Sequence, residues 1–98
     1  MATPAAPDDI AVTHNEPEQR FETLVHGELA VCEYQRQGER MIFTHTYVPG
    51  ELRGRGIAQK LVRTALEFAR DHRLKIVPAC SYVAVYVQRQ REFQSLVA

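Results

Sequence analysis

Residues 57–72, IAQKLVRTALEFARDH, sort into two halves of a helical wheel with no overlap. Stepping about 100° per residue from Ile57, Phe68, Leu61, His72, Ala65, Ala58, Ala69, Val62 and Leu66 share its half. Gln59, Arg70, Arg63, Glu67, Lys60, Asp71 and Thr64 fill the other. A segment patterned this way must bury one face against a second layer. It is therefore read as an amphipathic helix lying on a sheet.

The segments around it supply the sheet. RFETLVH (20–26) reads as a first strand and ELAVCEYQR (28–36) as a second, separated by His26-Gly27. After a turn at QGER, MIFTHTYV (41–48) reads as a third. Its two alternating faces would be Ile42, Thr44, Thr46, Val48 and Met41, Phe43, His45, Tyr47; both are semi-apolar, as suits a central strand. LKIVPAC (74–80) is a short apolar strand stopped by Pro78, and SYVAVYVQRQREFQSL (81–96) is a second helical segment that Ser81 would cap. Short glycine turns make the first three strands an antiparallel meander. The strand–helix–strand crossover sets the fourth strand parallel to the third. The expected class is α+β: a mixed sheet of about four strands with two main helices. Residues 1–19, proline-containing and acidic, read as a flexible tail ahead of a domain spanning 20–98, although Ile10 to Val12 could lie down on the domain.

A chain of 98 residues builds one modest core. Its 12 basic and 12 acidic side chains cancel, so net charge gives no reason to expect nucleic acid or a membrane surface as partner. Cys32 and Cys80 form neither a disulfide framework nor a C-x-x-C metal pair, and read as reduced thiols. No run approaches the roughly 18 apolar residues of a membrane span, and the N-terminus has no secretory pattern. A cytoplasmic monomer without metal is expected.

Chemistry concentrates in VPGELRGRGIAQKLV (48–62), which holds Gly50, Gly54 and Gly56 at the start of the main helix. A helix start offers N–H groups without internal partners and the positive end of the dipole. Gly54 and Gly56 allow close backbone approach, and Arg53 and Arg55 suit phosphate oxygens. Together they favour a phosphate or pyrophosphate. The dinucleotide fingerprint lacks its third glycine, and a P-loop would need Lys-Ser/Thr where Ile57-Ala58 stand. The basic row Arg53, Arg55, Lys60, Arg63 and Arg70 suits either further phosphates or a solvated helix face.

Arg53 to Ala58 matches R-x-x-G-x-A, and so resembles the cofactor-binding motif of the GCN5-related N-acetyltransferases. His45-Thr46-Tyr47-Val48-Pro49 and Pro78-Ala79-Cys80-Ser81-Tyr82, with Tyr86, are similar to a very short single-domain branch of that superfamily. The resemblance covers roughly residues 20–95. It implies an acetyltransferase fold in which the third and fourth strands splay. It further implies that acetyl-coenzyme A binds through Thr46, Tyr47, Val48, Arg53, Gly54, Arg55, Gly56, Ile57 and Ala58. Acetyl transfer to an amine, on a small molecule or a protein lysine, would proceed directly in a ternary complex. Its candidate catalytic residues are Cys80 as nucleophile or pocket lining, His45 as base, and Tyr86 as the acid at the leaving sulfur. The competing reading is a coenzyme A-binding module without catalysis.

Overall fold

The computed structural model describes residues 10–98. A single sheet has the strand order β1 (Thr13–Asn15), β2 (Arg20–Val25), β3 (Glu28–Gln37), β4 (Arg40–Tyr47), β5 (Lys75–Pro78). The first four strands are antiparallel in sequence, and β5 runs parallel to β4. Helix α1 (Ile57–Asp71) makes the crossover, and α2 (Ser81–Arg89) follows β5. Short 3-10 turns occupy Gly50–Leu52 and Arg91–Leu96. Among the described residues no helix is long and apolar enough to cross a membrane.

The α+β class, the meander and the crossover are as the sequence implies. Five strands replace the expected four because β1 lies within the segment read as tail. Residues 1–9 of that segment lie outside the described residues. From Ile10 the chain is bound to the domain. Ile10 is buried, the Thr23 hydroxyl donates to the Ala11 carbonyl at 2.7 Å, and β1 pairs with β2. Thr-His-Asn carries no apolar alternation, so the strand is silent in the sequence.

His14 anchors β1. Its ring stacks on Phe21 at 4.0 Å, meets the edge of Phe68 at 4.4 Å, and hydrogen-bonds the Tyr34 hydroxyl at 2.6 Å. Burial pushes its pKa below the ordinary histidine value of 6.5; Glu16 pulls it up and His72 presses it down. The unfolded chain therefore takes up the proton first as pH falls. The stabilisation from His14 is complete above 6.5 and is lost as pH drops through that value toward the lower folded one. The melting temperature is expected to fall between about pH 7 and pH 5. His14→Gln should remove part of that slope, and an identical slope in the variant would refute the assignment.

Helix α1 buries Ile57, Leu61, Val62, Ala65, Leu66 and Ala69, the wheel's apolar half. Each large aliphatic side chain there is worth about 1.5–3 kcal/mol of burial. His72 departs from the wheel: it is exposed past the helix end, its Nδ1 lies 2.9 Å from the Phe68 carbonyl oxygen, and its ring stacks on Phe68. The second helix is shorter than 81–96. It stops at Arg89, and Gln90 leaves helical geometry. The Gln94 amide then donates to the Val87 and Gln88 carbonyls, closing the helix end, while Phe93 turns into the core.

The larger correction concerns β4. Tyr34 pairs with Phe43, but the next residue on β3, Glu33, pairs with His45. Thr44 is thus an extra residue, a bulge, and the alternation inverts across it. Met41 and Phe43 face the core, and beyond the bulge that face continues through Thr46, paired with Cys32, and buried Val48. His45 and Tyr47 emerge on the opposite, exposed face. The strict period-two faces read from the sequence hold only up to Phe43.

Candidate functional site

Strands β4 and β5 part company at a defined point. Their last paired residues are Phe43 and Pro78, and the Cys80 N–H donates to the Phe43 carbonyl at 2.7 Å. Proline at 78 has no N–H with which to extend the ladder. Beyond this fork and the bulge at Thr44, β4 runs on through residues 45–47 paired to β3 alone, so its β5-facing edge is open. Pro49 then turns the chain into the glycine loop.

The loop is held in shape by its own groups. Arg53 N–H donates to the Gly50 carbonyl, and Arg53 Nε donates to the Val48 carbonyl at 2.9 Å, tying the loop to the end of β4. Gly54 and Gly56 sit at φ +80° and +77°, which disfavours other residues. Gly56 is the N-cap of α1, with no side-chain capping bond. The first helical N–H to find a partner is that of Lys60, bonded to the Gly56 carbonyl. Among the described residues, the N–H groups from Gly54 to Gln59 have no hydrogen-bond partner. They form a row of donors at the positive end of a 15-residue helix.

A groove passes this row. Near the fork it is a cavity of about 260 Å³ bounded by Thr46, Tyr47, Val48, Arg53, Ala58 and Tyr82. It continues as about 190 Å³ along the loop from Arg53 to Gln59, with Leu52 and Tyr82. It widens to about 400 Å³ between α1 and α2. Of the residues expected at a cofactor, Thr46, Tyr47, Val48, Arg53, Gly54, Gly56, Ile57 and Ala58 line the first two cavities. Half-buried Arg55 lines none of the three.

The candidate catalytic residues are dispersed. Cys80 is the N-cap of α2, its sulfur 3.5 Å from the Thr46 hydroxyl. Burial raises its pKa, but the Thr46 hydroxyl and the backbone N–H groups of Val83, Tyr82 and Thr46 outweigh burial, and the net shift is downward. Cys32 Sγ lies 3.9 Å from the Thr46 hydroxyl, and burial pushes its pKa up to about 12, leaving it an inert thiol. His45 is on the other face of the sheet, stacked with Tyr47 at 6.4 Å, because of the Thr44 bulge. Tyr86 lines the α1–α2 cavity and not the fork. Tyr82, four residues earlier, lines all three cavities. Burial raises both tyrosines, so both stay protonated as donors.

Tyr82 and Gln59 are among the groove residues that sequence reasoning left without a role. The i, i+4 tyrosine pair was the available signal; which of the two faces the fork depends on how α2 docks.

Comparison with known proteins agrees with this geometry. A family model described as GCN5-related N-acetyl-transferase matches residues 20–96. The chain is 37% identical over 82 residues to Protein NATD1 of Mus musculus, covering 81% of this chain and 74% of that protein. The same identity and length relate it to Protein NATD1 of Homo sapiens, covering 73% of that protein. The solution structure of a GCN5-like protein from Staphylococcus aureus superposes with a TM-score of 0.71 at 25% identity, covering 90% of this chain and 87% of that one.

Proposed function

The chain belongs to the GCN5-related N-acetyltransferase family, and from that premise we propose that it binds acetyl-coenzyme A in the groove and transfers acetyl to an amine. The observation that carries this reading is the unpartnered row of N–H groups from Gly54 to Gln59 beside the two left-handed glycines. A pyrophosphate fits such a row: the donors are unpartnered, no Cβ stands at Gly54 or Gly56, and the helix dipole favours the charge. The free edge of β4 from Thr44 to Tyr47 suits the amides of a pantetheine arm, and the fork at Phe43 marks its end. Bound there, acetyl-coenzyme A would supply an activated acyl thioester.

The protein's own contribution is orientation, polarisation and proton handling. Open β4 N–H groups past the fork would polarise the acyl carbonyl. Tyr82, reaching every part of the groove, is better placed than Tyr86 to protonate the departing sulfur. His45 would serve as base only for an amine arriving across the exposed sheet face. Cys80, its sulfur 3.5 Å from the Thr46 hydroxyl, lines none of the three cavities, which supports direct transfer over a covalent acetyl-enzyme. One observation favours the rival reading of a non-catalytic binding module. Among the described residues, the apolar side chains of Leu24, Leu29 and Tyr47 stand exposed, with nothing packed on them to wall an acceptor pocket.

Calorimetric titration with acetyl-coenzyme A tests the binding; no heat at millimolar ligand would refute it. Incubation with labelled acetyl-coenzyme A and an amine panel tests the transfer. Cys80→Ala should keep activity within about tenfold, the range of a residue that positions without reacting. Label retained on the wild type and absent from Cys80→Ala would instead demonstrate a covalent route. Binding without transfer to any amine would favour the module.

A further inference from the structure

An apolar strip crosses the outward face of the sheet. On β2 and β3 the side chains of Phe21, Thr23, Ala30 and Cys32 are buried in the core. Leu24, Leu29, Val31 and Glu33 alternate with them and so share the opposite face. Leu24 stands across from Leu29, and Val31 across from Tyr47. Leu24, Leu29 and Tyr47 are 68%, 36% and 45% exposed, and nearly covered Val31 joins them into one strip. Tyr47 also lines the fork cavity, so the strip leads to the place where β4 and β5 separate. His45 stacks with Tyr47 on the same face.

The charges along the strip are one-sided. Arg20 shares its face, but the Arg20 Nε lies 2.7 Å from Glu22 and the two cancel. Among the described residues, Glu28, Glu33 and Glu51 make no ion pair. Glu33 follows Val31 on the same face, across from His45. Glu28 precedes Leu29 at the other end of the strip. The Glu51 carboxyl beside it, more than burial, holds Glu28 above the ordinary carboxylate value, and His26 pulls it down. Two crowded carboxyls are relieved by a cation. The strip is thus apolar along its length and carries uncompensated acid at both ends.

We propose that this strip is the docking surface for a basic polypeptide, one of whose lysines is the acetyl acceptor. This rests on the transfer reading above and names its acceptor class. A small free amine gains nothing from an apolar strip outside the cavity. A polypeptide supplies both complements: aliphatic side chains for Leu24, Leu29 and Val31, and cations for Glu28, Glu33 and Glu51. Lying there, it brings a lysine past His45 and Tyr47 to the fork. The same carboxylates argue against two other occupants. A second copy docked through the same face would set acid against acid. An anionic lipid surface would be repelled.

Fluorescence anisotropy and acetyl-transfer assays on the full chain test this with three labelled peptides and n-butylamine. The first peptide has one central lysine flanked by leucines and arginines. The second replaces its arginines with glutamates, and the third replaces its leucines with serines. Wild type should bind the first roughly tenfold or more tightly than either of the others, and less tightly as salt is added. Leu24→Ser and Glu33→Gln should each weaken the first peptide several-fold and raise its KM, while n-butylamine transfer and acetyl-coenzyme A affinity stay unchanged. Leu24 is exposed and Glu33 makes no ion pair, so the melting temperature should hold. Equal binding of the three peptides, or variants that bind the first as wild type does, would overturn the docking surface. If the first peptide binds and both variants lose it, but neither it nor n-butylamine is acetylated, the surface stands and the transfer reading falls. Transfer to n-butylamine with no peptide bound would do the reverse. A dimer in sedimentation that Leu24→Ser abolishes would give the strip to a second copy and overturn the proposal.

Discussion

Gly54→Val is expected to weaken acetyl-coenzyme A binding by about a hundredfold or more, while Gly54→Asn keeps most of it. A side chain added at Gly54 meets no atom within 4 Å, so bulk is not the reason. The reason is φ at +80°. A residue with a Cβ pays about 1–2 kcal/mol to stay there, and a β-branched one leaves for another basin. The loop then re-forms, and the row of N–H groups is broken. Losing two bonds to a charged group at about 1.5 kcal/mol each is close to a hundredfold. Asparagine tolerates the left-handed region and should preserve the row. The readouts are calorimetric affinity and melting temperature. Normal binding by Gly54→Val would sink the cradle, and equal loss in both variants would mean that something other than φ is at work. Gly56, at +77° and capping α1, should respond in the same direction with a larger loss of stability, since the first helical turn depends on it.

Phe93→Ala should have the largest effect on stability. Phe93 is fully buried although it lies in a 3-10 turn close to the C-terminus. Arg63 and Arg70 cap its ring at 5.4 and 5.9 Å, and Tyr86 packs beside it. Truncation in a core of this kind costs about 3–5 kcal/mol. For a domain of this size that lowers the melting temperature by roughly 12–40 °C. Phe93→Leu should recover most of the loss. A thermal melt that moves by less than about 4 °C would show that the C-terminal segment is not part of the cooperative unit. The same substitution should disturb Arg63, whose partner Glu92 is the preceding residue, and so should loosen the groove wall that Tyr86 shares.

Much of the fold was legible in the sequence because much of it is local. The wheel from Ile57 to His72 needs only the helical period. The glycines at 54 and 56 announce a left-handed turn before a helix, and Pro49 and Pro78 announce where strand pairing ends. The loop half of the site was legible for the same reason. The catalytic half was less so. His45 was expected as a base near the splay because a strand without a bulge would keep it on one face with Phe43 and Tyr47. Tyr86 was chosen over Tyr82 because spacing places both on one helix face without saying which one meets the fork. The strand at Thr13–Asn15 carries no pattern, since its affinity for the sheet comes from one histidine ring against Phe21, Phe68 and Tyr34.

By itself, then, the sequence determined an amphipathic helix on a mixed sheet and a donor-rich turn at the head of that helix. Backbone period and φ preference act within a few neighbouring residues. Only the tertiary structure decided which face His45 presents, which tyrosine reaches the fork, and which cations remain uncompensated. Those outcomes depend on partners far along the chain. The bulge at Thr44 exists only in register with Glu33 and Tyr34. Arg63 is neutralised by Glu92, 29 residues away. Lys60 and Arg89 border one cavity only because β5 returns α2 to the side of α1.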